Sequence, residues 1–114
     1  MWGGLLVGMG AECGSDDARK AVAYAISQLA QIDAGRRLMA RGDVRAVLVR
    51  IGHAAASDDA RRFVARAVRD IAGCEVGRRL MATETVCGML QAMFRLQAPG
   101  PERDYVAEAY ACVG

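Results

Sequence analysis

The 114 residues carry 15 basic and 13 acidic side chains, a formal charge of +2, and a 54% hydrophobic content. A chain of this length buries about two thirds of its unfolded surface and folds as one domain without disulfide or metal staples, which excludes a multidomain enzyme. The apolar content excludes a disordered chain, no uncharged apolar run is long enough to span a bilayer, and the balance of charge gives no footprint of nucleic-acid binding.

The chain opens on Met1-Trp2-Gly3-Gly4 and then Leu5-Leu6-Val7. No positively charged segment of a secretory signal precedes that run, and Gly8 and Gly10 break it, so the expected compartment is intracellular, the cytoplasm first, with the nucleus left open. Gly8, Gly10 and Gly14 follow the apolar run as a phosphate-cradling turn would, which offers a nucleotide-binding enzyme as an alternative reading. No strand–helix–strand pattern follows to supply the sheet such a turn needs.

From Ser15 the chain repeats itself. Ser15-Asp16-Asp17-Ala18-Arg19 returns as Ser57-Asp58-Asp59-Ala60-Arg61, and Gly35-Arg36-Arg37-Leu38-Met39-Ala40 returns as Gly77-Arg78-Arg79-Leu80-Met81-Ala82, with 18 of 42 positions identical and no gap. A fixed step of this size is the mark of a stacked-repeat architecture. The step divides the chain into a partial repeat over 1–14, full repeats over 15–56 and 57–98, and a partial repeat over 99–114, roughly 2.7 units in all.

Each unit predicts three helices. Ala18, Val22, Ala25, Ile26 and Leu29 lie on one helical face, and Ala60, Val64, Ala67, Val68 and Ile71 repeat it. Ser15 and Ser57 stand as N-caps, with the Asp pairs behind them at the positive end of the helix dipole. Gly35 and Gly77 punctuate the end of that segment, Arg36 to Arg41 makes a short helix before Gly42-Asp43, and Val44 to about Ala55 makes a second apolar helix. Pro101 suits the first turn of a helix in the last unit. Met9, Met39, Met81, Met89 and Met93 fall on apolar positions as gap-filling core.

A 42-residue step, a Gly followed by a short polar helix, an apolar second helix and a long third helix together resemble the armadillo family, which is itself similar to HEAT repeats; the short helix favours the former. Within Ala23-Tyr24-Ala25-Ile26-Ser27-Gln28-Leu29-Ala30, an aromatic residue followed four positions later by an amide looks like the family's third-helix signature. The resemblance covers nearly the whole chain. It implies an all-α fold, a right-handed α-solenoid, without catalysis or cofactor, whose third helices line a concave groove for a partner protein or peptide. Carried over residue by residue, the groove positions of the nuclear-import receptors fall on Tyr24 and Gln28, Arg66 and Asp70, and Glu108 and Cys112. Their tryptophan–asparagine ladder is absent, so recognition of basic localisation signals is not implied.

The candidate partner-binding residues are therefore Tyr24, Gln28, Arg66, Asp70 and Glu108, a mixed row offering stacking, a guanidinium fork and a carboxylate. The plainer reading of Arg66 and Asp70, four apart on one helix, is a surface ion pair. Fourteen arginines to one lysine raise RNA binding as a further alternative, yet Arg36-Arg37 and Arg78-Arg79 recur in register with Asp16-Asp17 and Asp58-Asp59, which predicts charge pairing between units instead. Cys13, Cys74, Cys87 and Cys112 lie far apart with no C-x-x-C pair and read as reduced thiols. His53, the one histidine, has neither zinc co-ligands nor an acid partner at useful spacing, so no metal or catalytic centre is expected. Uncapped apolar faces at both ends predict either a piece of a longer repeat protein or ends that associate with each other or with a partner.

Overall fold

A computed structural model describes residues 15–97 and 99–113. Every described element is helical, and no strand occurs among the described residues. In chain order they are α1 (Asp16–Ala30), α2 (Asp33–Met39), α3 (Gly42–Ala54), α4 (Asp58–Ile71), α5 (Glu75–Met81), α6 (Glu84–Leu96) and α7 (Pro101–Val113). The starts of α4, α5 and α6 lie 42 residues beyond those of α1, α2 and α3. The readings of Trp2, Leu5, Leu6, Met9, Cys13 and the Gly8/Gly10/Gly14 turn fall outside the described residues.

The capping chemistry explains where these helices begin. Ser15 accepts the Ala18 N–H at 3.2 Å and Ser57 accepts the Ala60 N–H at 3.1 Å, each satisfying a donor that the first helical turn leaves free. Thr83 does the same for Val86 at 3.2 Å. At α5 the cap is a thiol, with the Gly77 N–H donating to Cys74 Sγ at 3.3 Å. Between Pro99 and Pro101 the chain turns through Gly100, whose φ of 151° a side chain would resist.

One boundary differs from the sequence expectation. The short helices begin at Asp33 and Glu75, ahead of Gly35 and Gly77, so these glycines sit inside the helices they were expected to precede. The reason is steric. Both are buried, and a Cβ on Gly35 would collide with the carbonyl oxygen of Leu29, as one on Gly77 would with that of Ile71. The glycines let the short helix press against the last turn of the long helix before it, and Arg36 ties that corner by donating from Nε to the Ala30 carbonyl at 2.9 Å.

Equivalent helices pack on one another. The long helices α1, α4 and α7 lie side by side, α3 packs on α6, and the short α2 and α5 adjoin along one edge. Between the long-helix row and the α3–α6 pair lies a continuous core that includes Ile26, Leu48, Ile51, Val64, Val68, Met89, Leu90, Met93 and Val106. Met39 and Met81 extend it beneath the short helices, both fully buried. At Gly52 an added Cβ would strike the Met89 side chain, so the missing side chain gives α6 its seat on α3.

Two polar junctions hold the row in register. Asp16, at the start of α1, accepts the Ser57 hydroxyl and, at 2.8 Å, the Ala56 N–H, pinning it to the cap of α4. At the other end Ser27, fully buried, donates to Asp70 Oδ2 at 2.8 Å. A third clip joins α4 to the end of α6, where buried Arg61 donates from Nε to Gln97 Oε1 at 3.1 Å and Gln97 Nε2 donates to the Asp58 carbonyl at 3.2 Å.

Candidate functional site

The long helices bury one face and leave the other open, and the side chains follow that division. On α4 the residues Ala60, Val64, Ala65, Ala67, Val68 and Ile71 are buried. Arg62, Phe63, Arg66, Arg69 and Asp70 share the opposite face and are each only partly buried. On α1 that open face carries Asp17, Ala21, Tyr24 and Gln28, and on α7 it carries Tyr105, Glu108 and Cys112. Sequence spacing thus placed Tyr24, Gln28, Arg66, Asp70 and Glu108 on the open side of the row. Tyr24 and Glu108 are exposed, and Gln28, Arg66 and Asp70 are partly buried.

The five do not form one contiguous chain of contacts. Two clusters organise the face instead, both built in part on residues outside the five. Between α1 and α4, Tyr24 meets Phe63 edge to face, with ring centroids 5.2 Å apart. Lys20 and Arg62 lie over the Phe63 ring at 5.9 and 4.7 Å from its centroid. Asp17, Lys20, Ala21, Tyr24 and Phe63 line a cleft of about 390 Å³ at this seam. Between α4 and α7, Arg69 reaches Asp70 at 3.5 Å and Glu108 at 3.2 Å and lies over the Tyr105 ring.

Asp70 therefore does not pair with Arg66, the plainer expectation from their spacing; it is taken by Ser27 and Arg69. Arg66 stands at the middle of the open face of α4, one turn beyond Phe63. Its Nε is buried without a hydrogen-bond partner, and among the described residues it makes no ion pair. The signal that could have found Phe63 was its alignment with Ala21: an aromatic ring beside a methyl group marks the seam where the face opens. Arg69 was hidden because its equivalent, Ser27, is a small buried residue with a different job.

Charge pairing between units is present at Lys20–Asp59 and Arg69–Glu108, but it does not run through the arginine doublets. Arg36 pairs with Asp33 and Arg79 with Glu75, each within its own short helix. Asp59 pairs with Arg62 and Lys20, and Asp16 with Arg19. The short helices start earlier than expected, which brings Asp33 and Glu75 into reach of those arginines and leaves the aspartate doublets to the long helices.

A second open surface is the groove between α6 and α7, of about 360 Å³, lined by Leu90, Phe94, Val106, Ala107 and Tyr110 and bridged where Gln91 donates to Tyr110 at 3.1 Å. Its positions one unit earlier, Leu48, Gly52, Val64, Ala65 and Val68, are all buried within the chain. Phe94, in the place of Gly52, fills the seat that Met89 occupies there and lies 4.0 Å beneath the Arg103 guanidinium.

His53 is exposed in the last turn of α3. Among the described residues no group of three or more His, Cys, Asp or Glu side chains converges as metal ligands would, and Cys74, Cys87 and Cys112 are free thiols. No helix among them is long and apolar enough to cross a membrane. The chain matches no protein-family model, and no curated protein or solved structure is significantly similar to it.

Proposed function

We propose that this chain is a non-catalytic protein-interaction module, a right-handed α-solenoid of armadillo-like units that holds a partner segment against the open face of α1, α4 and α7. The observation that carries this reading is the seam at Tyr24 and Phe63, where a tyrosine 45% exposed borders a cleft, with Arg66, one turn along α4 from Phe63, in no ion pair among the described residues. Large aromatic and arginine side chains are the types that dominate binding energy when a partner covers them. Three adjacent helices at about 8–10 Å spacing offer a track of roughly 20 Å. An extended segment of about six residues spans that distance.

Charge speaks for a protein partner over a nucleic acid. On the open face the cations Lys20, Arg62 and Arg69 already face Asp59, Asp70 and Glu108, leaving little clustered excess charge. Self-association belongs to the same reading, because the α6–α7 groove repeats a surface that helices of this chain cover one unit earlier. A strictly monomeric chain in sedimentation equilibrium at high concentration would remove that part of it.

The test compares partner capture by the wild-type chain, after nuclease treatment, with capture by Tyr24→Ala/Arg66→Glu/Glu108→Lys. The reading expects loss of the captured protein with the triple variant. Arg66→Ala alone should weaken binding by roughly 1–3 kcal/mol, and Arg78→Ala, on an exposed short helix, should leave it unchanged. Equal effects of the two single variants would defeat the assignment of the face.

A further inference from the structure

The open face carries four cations near its centre, and three of them have counter-charges. Lys20 and Arg62 face Asp59, at 3.8 and 3.5 Å, and Arg69 faces Asp70 and Glu108. Arg66 has none among the described residues, although the carboxylate four positions further along its own helix is close enough in sequence to supply one. That carboxylate is held away by Ser27 and Arg69. The Arg66 stem is partly buried and its Nε is enclosed. The side chain is thus fixed at its base, and the terminal nitrogens are the part left to meet a ligand. A guanidinium held in this way has already lost much of its rotamer freedom, so a planar, two-oxygen acceptor gains a fork of charge-assisted hydrogen bonds at low entropic cost.

One turn back along α4 lies Phe63, and with Tyr24 and Ala21 it walls the cleft between α1 and α4. Residues three apart on a helix are surface neighbours, about 5–6 Å between Cβ atoms, which puts the base of the Arg66 side chain next to the Phe63 wall of the cleft.

From this juxtaposition we infer that the partner is an acidic peptide segment, with an Asp or Glu carboxylate forked by the terminal nitrogens of Arg66 and an adjacent apolar side chain seated in the cleft of Ala21, Tyr24 and Phe63. This rests on the open face being the partner-binding surface. A phosphate would satisfy the same fork, but a nucleic acid would also need an unpaired basic track, and the flanking cations are neutralised in place.

The experiment is selection of a phage-displayed library of random twelve-residue peptides on the full chain, in parallel on wild type, Arg66→Leu, Arg66→Glu and Tyr24→Ala, with circular dichroism to match their folding. The wild type should enrich peptides that place Asp or Glu beside a large apolar residue. Synthetic versions with Asp→Asn or Glu→Gln should bind at least tenfold more weakly. Arg66→Leu should lose the acidic preference, and Arg66→Glu should select Lys or Arg at that place. Selected peptides that depend on Tyr24 but are indifferent to the acid and to Arg66 would overturn the carboxylate inference while leaving the face intact. Peptides unaffected by Tyr24→Ala and by Arg66→Leu would overturn the face reading, and the inference with it. Binding of a fluorescent oligouridylate lost in Arg66→Leu, with no peptide enriched, would replace both with phosphate recognition. Should Arg66→Leu fold poorly, the peptide-side substitutions decide the point on the wild-type chain alone.

Discussion

Gly35 and Gly77 show how one absent methyl group shapes each unit. Each sits where a Cβ would run into a backbone carbonyl of the preceding long helix, an obstacle that cannot swing aside as a side-chain tip can. Gly88 is the control, also in a helix interior, but with nothing within 4 Å of its would-be Cβ. Gly77→Ala and Gly35→Ala should each destabilise the chain by roughly 2–3 kcal/mol through overpacking. Gly88→Ala should stabilise it by about 0.5–1 kcal/mol, because alanine loses less backbone entropy in a helix. Urea unfolding midpoints check both signs. At this scale the sequence is legible only in part: both glycines stand out by their repetition, but repetition alone does not say whether a glycine ends a helix or is pressed inside one. The collision with Leu29 and Ile71 depends on how closely two helices approach, a tertiary fact.

The helices themselves are the most legible feature. Ser15 and Ser57 cap as their position before an apolar-periodic run requires, and all five residues expected on the buried face of α4 are there, whereas on α1 only Val22 and Ile26 of the five are buried and the face is turned toward Ala23, Ser27 and Ala30. Less legible were the contacts between elements. The junction of α1 with α4 turns on Asp16, which reaches across to Ser57 and Ala56; no helical periodicity points to it, because its partners lie 40 and 41 residues away. Burial pushes the Asp16 carboxyl up, but the Ser57 hydroxyl, the Ala56 N–H and the charges of Arg19 and Arg61 together outweigh it, leaving its pKa below the ordinary 3.8. A carboxyl whose folded pKa is lowered contributes stability that is fully present above the unfolded value and is lost as pH falls through the folded one. Wild-type stability should therefore decline as pH drops below about 4 in step with protonation at this junction. Asp16→Asn should be less stable at neutral pH and should show a shallower decline over that acid range, read from denaturation midpoints at successive pH values. A decline as steep in Asp16→Asn as in wild type would assign it to other carboxylates.

Across the whole molecule, the long helices make a row whose buried side is nearly all aliphatic and whose open side mixes aromatic and charged residues. The five candidate residues reached that open side because a helix of period 3.6 fixes which side chains share a face. Their neighbours across the seams, Phe63, Lys20, Arg69 and Tyr105, were not legible, since they are brought to Tyr24 and Glu108 by the offset between adjacent helices rather than by equivalence of repeat positions. That offset also explains why Asp70 is spent on Ser27 and Arg69 and why Arg66 is left without a counter-charge. The exposed ion pairs on this face are each worth about 0–1 kcal/mol, so they tune which partner fits more than they hold the fold. The central claim is that a partner lies on this face, and the most direct measurement is site-specific photo-crosslinking in a native lysate, with a benzoylphenylalanine placed at Tyr24 in one chain and at Arg79 in another. The account predicts a discrete crosslinked protein from position 24, suppressed by Arg66→Glu in the same chain, and none from position 79. Crosslinking of the same protein from position 79 and not from position 24 would contradict it and move the contact to the short-helix edge.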